Sequence, residues 1–198
     1  MRNPGDHRLR APLDVMKKPS KALTARLRRV KLFLCDVDGV LTDGRMILSD
    51  RGEELKSFHT HDGIGLALAK RAGLRTALVT GESSPIAKTR GAKLGVDSVV
   101  LGARRKGESV EALRAEFDLA PDAVAFIGDD LLDIPALQVA GLAATVADAS
   151  ATVKAVAHVV TRARGGYGAV RELVELILRA QGSWRKVVDA YVREHGGR

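Results

Sequence analysis

The chain has 198 residues, of which 45% are hydrophobic and only 4% aromatic, and this composition fits one domain whose core consists of small branched side chains. The formal net charge of +8 lies entirely in residues 1–31, where ten bases accompany two acids, while 22 bases balance 22 acids in the rest of the chain. The sequence contains no recognisable secretory signal or membrane-spanning stretch, and its single cysteine, Cys35, excludes an internal disulfide framework, so a soluble cytoplasmic protein is expected.

Residues 1–29 are predicted to form a basic, mobile arm. Three prolines and scattered bases interrupt any regular pattern there and leave room for one helical turn near residues 21–28. Such an arm is either a solvated tail or a segment that binds acidic partners. Cys35, inside an apolar run, is expected to be a small buried hydrophobe and not a nucleophile.

From Val30 onward, apolar strand patterns alternate with helix patterns. The predicted strands are residues 30–37, 74–80, 98–101, 124–127, 142–146 and 158–161. The predicted helices are residues 62–72, 84–94, 106–117, 131–140, 149–157, 169–181 and 183–195, with Asp62 as the expected N-cap of the first. Alternation with short connections predicts an α/β fold, a three-layer doubly wound parallel sheet with helices on both faces.

A β-hairpin is expected to project from this sheet at residues 45–59. Two extended segments, residues 45–48 and 53–59, flank the turn-forming sequence Ser49-Asp50-Arg51-Gly52. The predicted domain then covers residues 30–182, and residues 183–198 form a C-terminal helix and tail.

Polar residues follow three of the apolar runs, at the points where the predicted strands end. These segments are Asp36-Val37-Asp38-Gly39, Thr80-Gly81, and Gly128-Asp129-Asp130 with Asp133. Because the carboxyl ends of parallel strands form the ligand-binding crevice of such a sheet, we expect these segments to converge there with Lys106. Five acids, a hydroxyl and a lysine at one place suit metal-assisted phosphoryl transfer.

The two acids of the first segment are predicted to do the covalent chemistry. On an extended backbone Asp36 and Asp38 face the same side, with Val37 buried on the other. Asp36 can then attack phosphorus to form an aspartyl-phosphate, while Asp38 gives and takes a proton. Gly39 lets the backbone turn sharply and approach a ligand closely.

A divalent cation is needed because two carboxylates would otherwise repel a phosphate dianion. Oxygen-only ligands favour Mg²⁺. The predicted ligands are Asp36, the backbone carbonyl of Asp38, and Asp129, with Asp133 or Asp130 holding a coordinated water. The plainer alternative is that the acids of residues 129–133 only cap the helix that follows them.

The remaining phosphoryl oxygens need donors and positive charge. Thr80, the backbone of Gly39 and Gly81, and the ammonium of Lys106 are the predicted phosphate-binding groups. Each segment alone is a weak signal, since Asp-Gly is common in turns. Their joint occurrence in this order at successive strand ends indicates a catalytic site.

These segments together resemble the haloacid dehalogenase superfamily of phosphatases, and within it the small capless branch typified by the 3-deoxy-D-manno-octulosonate 8-phosphate phosphatases. The resemblance covers residues 31–181 and includes Asp36 to Gly44, Asp62 to Gly65, Thr80-Gly81, Gly102 with Lys106, Gly128 to Asp133, and Gly165 to Glu172. It implies a Mg²⁺-dependent homotetramer acting on a phosphorylated 3-deoxy-2-keto sugar acid in lipopolysaccharide biosynthesis. The hairpins would form a central barrel, and neighbouring subunits would complete each active site.

Two departures from that branch concern the substrate. Glu82 stands where members acting on the eight-carbon acid usually have Arg, and Tyr167 stands where an Arg often lies between the glycines. Glu82 with Lys93 is similar to relatives acting on nine-carbon acids, 2-keto-3-deoxynononate or N-acylneuraminate 9-phosphate. The overall resemblance keeps the eight-carbon substrate as the leading expectation, and these two departures make the nine-carbon acids the alternative.

Further residues on and just after the hairpin are expected near the sugar. Asp62, within its matching segment, and His59 are expected to contact the substrate. His59 and His61 alternate at the end of the hairpin, so both could face a pocket. Contact with a sugar hydroxyl or plain exposure is expected ahead of metal binding. Glu82 has a plainer alternative role as a cap of the helix that follows it.

Two other functions remain open from the sequence. The basic arm would suit a phosphatase acting on nucleic-acid ends, although the neutral body and scarce aromatic residues argue against it. A catalytically silent tetramerisation module would be a protein of another class, but this chain keeps every catalytic side chain of the pattern.

Overall fold

A computed structural model describes residues 19–50, 52 and 54–197. In this part of the chain, six parallel strands form one sheet in the order β5-β4-β1-β6-β7-β8, and two short strands form a separate antiparallel pair. The strands are β1 Leu32–Cys35, β2 Ile47–Leu48, β3 Glu54–Leu55, β4 Arg75–Val79, β5 Ser98–Val100, β6 Val124–Gly128, β7 Leu142–Thr145 and β8 Val159–Val160. The predicted parallel α/β sheet is confirmed.

Helices connect successive strands and flank the sheet. They are α1 Lys21–Arg29, α2 Thr60–Arg71, α3 Pro85–Leu94, α4 Lys106–Glu116, α5 Ile134–Val139, α6 Ala151–Lys154, α7 Ala169–Ala180 and α8 Trp184–Glu194, with 3-10 turns at Pro121–Ala123 and Leu131–Asp133. Helix α2 packs against α7 and α8, and α4 packs against α5. No helix among these is long and apolar enough to cross a membrane.

The core lies around the two central strands. All four residues of β1 and all five of β6 are buried, and Phe33 and Phe126 are the largest fully buried side chains. Cys35 is a free, buried thiol whose pKa burial raises well above its usual value, as expected of a small hydrophobe.

The site is positioned by the order of the strands. β1 lies between β4 on one side and β6 on the other, so the chain crosses from one half of the sheet to the other at β1. This reversal opens a crevice at the carboxyl ends of the strands. Asp36, Thr80 and Asp129 each follow one of these three strands directly.

The predicted hairpin is present, with strands of two residues each. Ile47 pairs with Leu55 and Leu48 with Glu54, and Gly52 N donates to Ser49 O at 3.0 Å to close the turn. Ile47, Leu48 and Leu55 are 59–65% exposed. The hairpin therefore presents an apolar surface to solvent.

Part of the predicted arm is a docked helix. The helical turn expected near residues 21–28 is the full helix α1, which Ser20 caps and which buries Leu27 completely. Arg26 and Arg28 donate to the carbonyls of Gly141 and Ala180, at 2.6 and 3.0 Å. Residues 1–18 of the predicted arm, with most of its bases, lie outside the described residues.

Two predicted helix starts were wrong. Helix α2 begins at Thr60 with His59 as its N-cap, so Asp62 is not the cap that its position suggested. The segment expected to be one helix over residues 131–140 begins as a 3-10 turn before α5, because Pro135 lies in the first turn of that helix.

Candidate active site

The loop after β1 carries the two acids predicted to do the covalent chemistry. Asp36 is buried, Val37 is fully buried, and the side chain of Asp38 is partly exposed. The loop turns back at once, since the amides of Leu41 and Thr42 both donate to Val37 O at 3.0 Å.

Gly39 is required at the turn of this loop. Its φ of +93° is one that L side chains rarely adopt. A Cβ there would lie 2.0 Å from Asp129 Oδ2. Any other residue would therefore push the loop after β6 away from the loop after β1.

A buried lysine joins two of the acids. Lys106, the first residue of α4, donates from Nζ to Asp36 Oδ1 at 2.7 Å and to Asp133 Oδ1 at 2.6 Å. The other oxygen of Asp133 accepts from the amides of Asp129 and Asp130, at 2.9 and 3.2 Å. Asp133 thus orders the loop after β6 and holds Lys106 at the same time.

Three of the predicted metal-binding acids form one cluster. Carboxylate oxygens of Asp36, Asp129 and Asp133 lie within 4.8 Å of one another. Asp129 Oδ1 is buried and has no hydrogen-bond partner, which is costly unless a cation binds there. An all-carboxylate set with one oxygen left over fits Mg²⁺. Asp130, the other acid predicted to hold a metal-coordinated water, is exposed, and its Oδ1 accepts from Leu131 N.

The electrostatics of the cluster show an excess of negative charge. Burial, followed by repulsion from Asp133, raises the pKa of Asp129 to about 7. Burial and Asp133 likewise raise the pKa of Asp36 well above its usual range, against the opposing effect of Lys106. Burial alone would lower the pKa of Lys106, but Asp36 and Asp133 raise it. A divalent cation would relieve this repulsion.

The loop after β4 brings the predicted hydroxyl to the second acid. Thr80 is buried, and its Oγ1 donates to Asp38 Oδ2 at 3.3 Å while accepting from Glu82 N at 3.1 Å. The three polar segments of the sequence therefore meet at one end of the sheet. Asp36, Lys106, Asp129 and Asp133 form its buried half, and Asp38 and Thr80 form its more open half.

Comparisons with known proteins agree with this geometry. A family model described as haloacid dehalogenase-like hydrolase matches residues 53–141. A 3-deoxy-D-manno-octulosonate 8-phosphate phosphatase KdsC from Yersinia pestis is 40% identical over 156 residues, 79% of this chain and 83% of that protein. The chain belongs to the haloacid dehalogenase-like hydrolases.

Solved structures of similar proteins support the same family for this hydrolase. The 3-deoxy-D-manno-octulosonate 8-phosphate phosphatase of Moraxella catarrhalis, in complex with magnesium ion, phosphate ion and KDO, is 35% identical with a TM-score of 0.83, covering 85% of this chain and 97% of that one. The cobalt-bound Haemophilus influenzae phosphatase is 38% identical with a TM-score of 0.78, covering 80% and 93%. The predictions of this superfamily and of a phosphoric monoester hydrolase are confirmed.

Glycine is also needed where a distant loop of the hydrolase covers the site. A Cβ on Gly165 would lie 1.8 Å from Gly39 O, and Gly166 N donates to Val40 O at 2.9 Å. The segment before α7 therefore lies directly on the loop after β1. Tyr167, the predicted substrate contact in this segment, is 57% exposed.

Asp62 has a structural position different from the one predicted. It is fully buried and accepts from Gly168 N at 3.1 Å and Arg171 N at 2.9 Å, at the amino end of α7. Burial raises its pKa despite these hydrogen bonds. A carboxylate there stabilises the helix end, so Asp62 fixes the glycine segment and its side chain is closed to solvent.

The other predicted substrate residues lie on the rim. Glu82 and His61 are exposed, and His59 is half-buried with Nδ1 accepting from His61 N at 3.2 Å. Lys93 is exposed in the last turn of α3, whose first turn follows the Glu82 loop. The helical rise from Pro85, at the start of α3, to Lys93 is about 12 Å. No ion pair joins Glu82 to Lys93 among the described residues. Their roles stay predictions.

Sequence reasoning missed Lys56, which follows β3 on the hairpin. Its Nζ lies 2.5 Å from Asp38 Oδ1. Leu55 faces solvent and Lys56 faces the site, the reverse of the usual apolar-in, polar-out alternation. No pattern in the sequence distinguishes such a lysine from an exposed one.

Proposed function

We propose that this hydrolase removes phosphate from a phosphorylated 3-deoxy-2-keto sugar acid, with 3-deoxy-D-manno-octulosonate 8-phosphate as the leading substrate. The observation that carries the chemistry is the buried Asp36, which accepts a hydrogen bond from Lys106 Nζ and lies beside Asp129, with Asp38 two residues later on the same loop. The substrate class is supported by relatives of that name at about 40% identity over most of the chain.

Asp36 is the proposed nucleophile. One of its oxygens bonds to phosphorus as the bond from phosphorus to the sugar oxygen breaks, and Asp38 donates a proton to that oxygen. Asp38 then takes a proton from a water that attacks the aspartyl-phosphate, which releases phosphate and restores Asp36. Both acids lie on one loop, so a single backbone turn sets their relative positions.

Charge compensation comes from Lys106, Thr80 and a bound cation. Lys106 and the Thr80 hydroxyl would donate to the phosphoryl oxygens, together with the amides of the Gly39 and Gly81 turns. Mg²⁺, held by Asp36, Asp129, the carbonyl of Asp38 and through Asp133, would supply positive charge for the developing transition state.

A phosphate-release assay tests this function. Purified protein with Mg²⁺ is expected to release phosphate from the eight-carbon sugar-acid phosphate with a higher kcat/KM than from the nine-carbon 9-phosphates. A higher kcat/KM for a nine-carbon 9-phosphate would identify that nine-carbon acid phosphate, and not the eight-carbon one, as the substrate. Failure on all sugar-acid phosphates would refute the proposed substrate class.

We also propose a homotetramer built on the hairpins. Ile47 and Leu55, which pair across the hairpin, and Leu48 are exposed apolar side chains, and exposed apolar surface of this kind often meets a partner. Light scattering is expected to give a mass near four times that of the 21.1 kDa chain.

The cytoplasmic location stays a prediction, which cell fractionation would test.

A further inference from the structure

The hairpin places one buried cation, the ammonium of Lys56, against the loop after β1. The Lys56 side chain is 0% exposed, although Leu55 beside it is 63% exposed. A buried ammonium is costly unless it is paired. Its Nζ lies 2.5 Å from Asp38 Oδ1, so the pair fixes the position of that carboxylate relative to the hairpin.

The two oxygens of Asp38 have different partners. Oδ1 is held by the Lys56 ammonium at 2.5 Å, whereas Oδ2 has a long contact of 3.3 Å from the Thr80 hydroxyl. A short charge-assisted hydrogen bond is stronger than a long neutral-donor bond. Oδ1 is therefore anchored, and Oδ2 is the oxygen free to exchange a proton.

We propose that Lys56 is a positioning residue for proton transfer by Asp38. It orients the carboxyl group so that Oδ2 faces the leaving oxygen of the substrate and, later, the attacking water. This inference rests on the proposed aspartyl-phosphate chemistry. The Lys56 side chain is turned to Asp38 and closed to solvent, which favours positioning over a contact with the sugar.

The proposal makes the effect of Lys56 depend on the leaving group. An alkyl phosphate such as the sugar-acid phosphate expels an alkoxide that must be protonated as the bond breaks. p-Nitrophenyl phosphate expels a stable phenolate that needs no proton. kcat/KM covers the steps up to departure of this group, so a misplaced Asp38 should lower it for the alkyl substrate alone.

The experiment compares Lys56→Met, Lys56→Arg and the wild type on both substrates at saturating Mg²⁺. Lys56→Met is expected to lower kcat/KM for the sugar-acid phosphate about 10²-fold and that for p-nitrophenyl phosphate less than about threefold. Lys56→Arg, which keeps the charge, is expected to retain at least about a tenth of the wild-type kcat/KM for the sugar-acid phosphate. With p-nitrophenyl phosphate, Lys56→Met should show a burst of nitrophenol, because water attack on the aspartyl-phosphate also needs Asp38.

Lys70→Met is the matched control. Lys70 also makes a 2.6 Å tertiary hydrogen bond, to Gly95 O, but lies outside the site. Its kcat/KM values should stay within about twofold of wild type on both substrates. An equal loss on both substrates in Lys56→Met, or a change confined to KM, would overturn the positioning role and indicate phosphate or sugar binding.

Two further variants keep the inference testable if Lys56→Met does not fold. Lys56→Gln retains a hydrogen-bond donor to Asp38 and should show the same leaving-group pattern to a smaller extent. In an Asp38→Asn background, Lys56→Gln should cause no additional loss; an additive loss would refute action through Asp38. If the wild type hydrolyses other alkyl phosphates but not the sugar-acid phosphate, the proposed substrate fails and the same comparison is made on the alkyl phosphate it accepts.

Discussion

The two halves of the active site differ in how firmly the fold holds them. Around Asp36, buried acids and Lys106 bond to one another and to backbone amides at the ends of central strands. At the rim, Glu82, His61 and Tyr167 are exposed. The buried half can carry chemistry common to many phosphate esters, while the rim can change with the substrate at little cost to folding.

Substitution of the nucleophile should have the largest effect on activity. Asp36→Asn keeps the shape of the side chain but cannot form the aspartyl-phosphate, so kcat should fall at least about 10³-fold on every substrate. Phosphate release measures this. Asp122→Asn, outside the site in an exposed 3.3 Å pair with Arg29, is the control and should remain within about twofold. Near-wild-type turnover by Asp36→Asn would show that another residue is the nucleophile.

Loss of the buried ammonium should affect both activity and folding. Lys106→Met leaves Asp36 and Asp133 without their cation, so in EDTA the free energy of unfolding should fall by about 3–5 kcal/mol. Turnover should fall about 10²-fold or more. Denaturant unfolding and phosphate release measure the two effects. Unchanged unfolding would show that the cluster does not depend on Lys106.

The buried half of the site was predictable because each of its residues follows a strand that the hydrophobic pattern reveals. Asp36, Thr80 and Asp129 end runs of buried residues, and parallel strands bring such ends together. Lys56 was not predictable, because a short hairpin with two-residue strands delivers it and Leu55 faces solvent there.

Asp62 and α1 show a second limit of sequence reasoning. Asp62 bonds to backbone amides more than 100 positions later in the chain, so only tertiary packing reveals its partner. Helix α1 is rich in arginine and anchors through one fully buried residue, Leu27. Local composition therefore indicates a solvated arm where the fold has a docked helix.

A change at the rim should alter substrate preference and leave the chemistry intact. Glu82→Arg places a cation beside Thr80, where the carboxylate of an eight-carbon substrate could pair with it. The ratio of kcat/KM for eight-carbon over nine-carbon substrate should rise about tenfold. Ser83→Arg, on the next exposed residue, is the control and should change the ratio less than about twofold. Equal changes for both substrates would place Glu82 outside the specificity determinants.

Stabilisation by Mg²⁺ should depend on pH, because the proton and the cation compete for the buried cluster. Asp129 has an ordinary pKa of 3.8 and one of about 7 in the folded, metal-free protein. Between these values the folded state holds a proton that the unfolded state has lost, so the metal-free protein becomes more stable as pH falls through 7. At pH 8 the carboxylates repel one another, and Mg²⁺ at about 100 times its Kd should raise Tm by about 5–10 °C.

At pH 6 the same Mg²⁺ concentration should raise Tm by only about half as much, since binding must displace the proton. Thermal melts with Mg²⁺ and with EDTA at the two pH values give the comparison. Asp129→Asn has no proton to displace, and it should lose most of the Mg²⁺ effect and its pH dependence together. A Tm increase of equal size at pH 6 and pH 8 in the wild type would mean that Mg²⁺ binds away from Asp129. The cluster of Asp36, Asp129 and Asp133 would then not be the metal site.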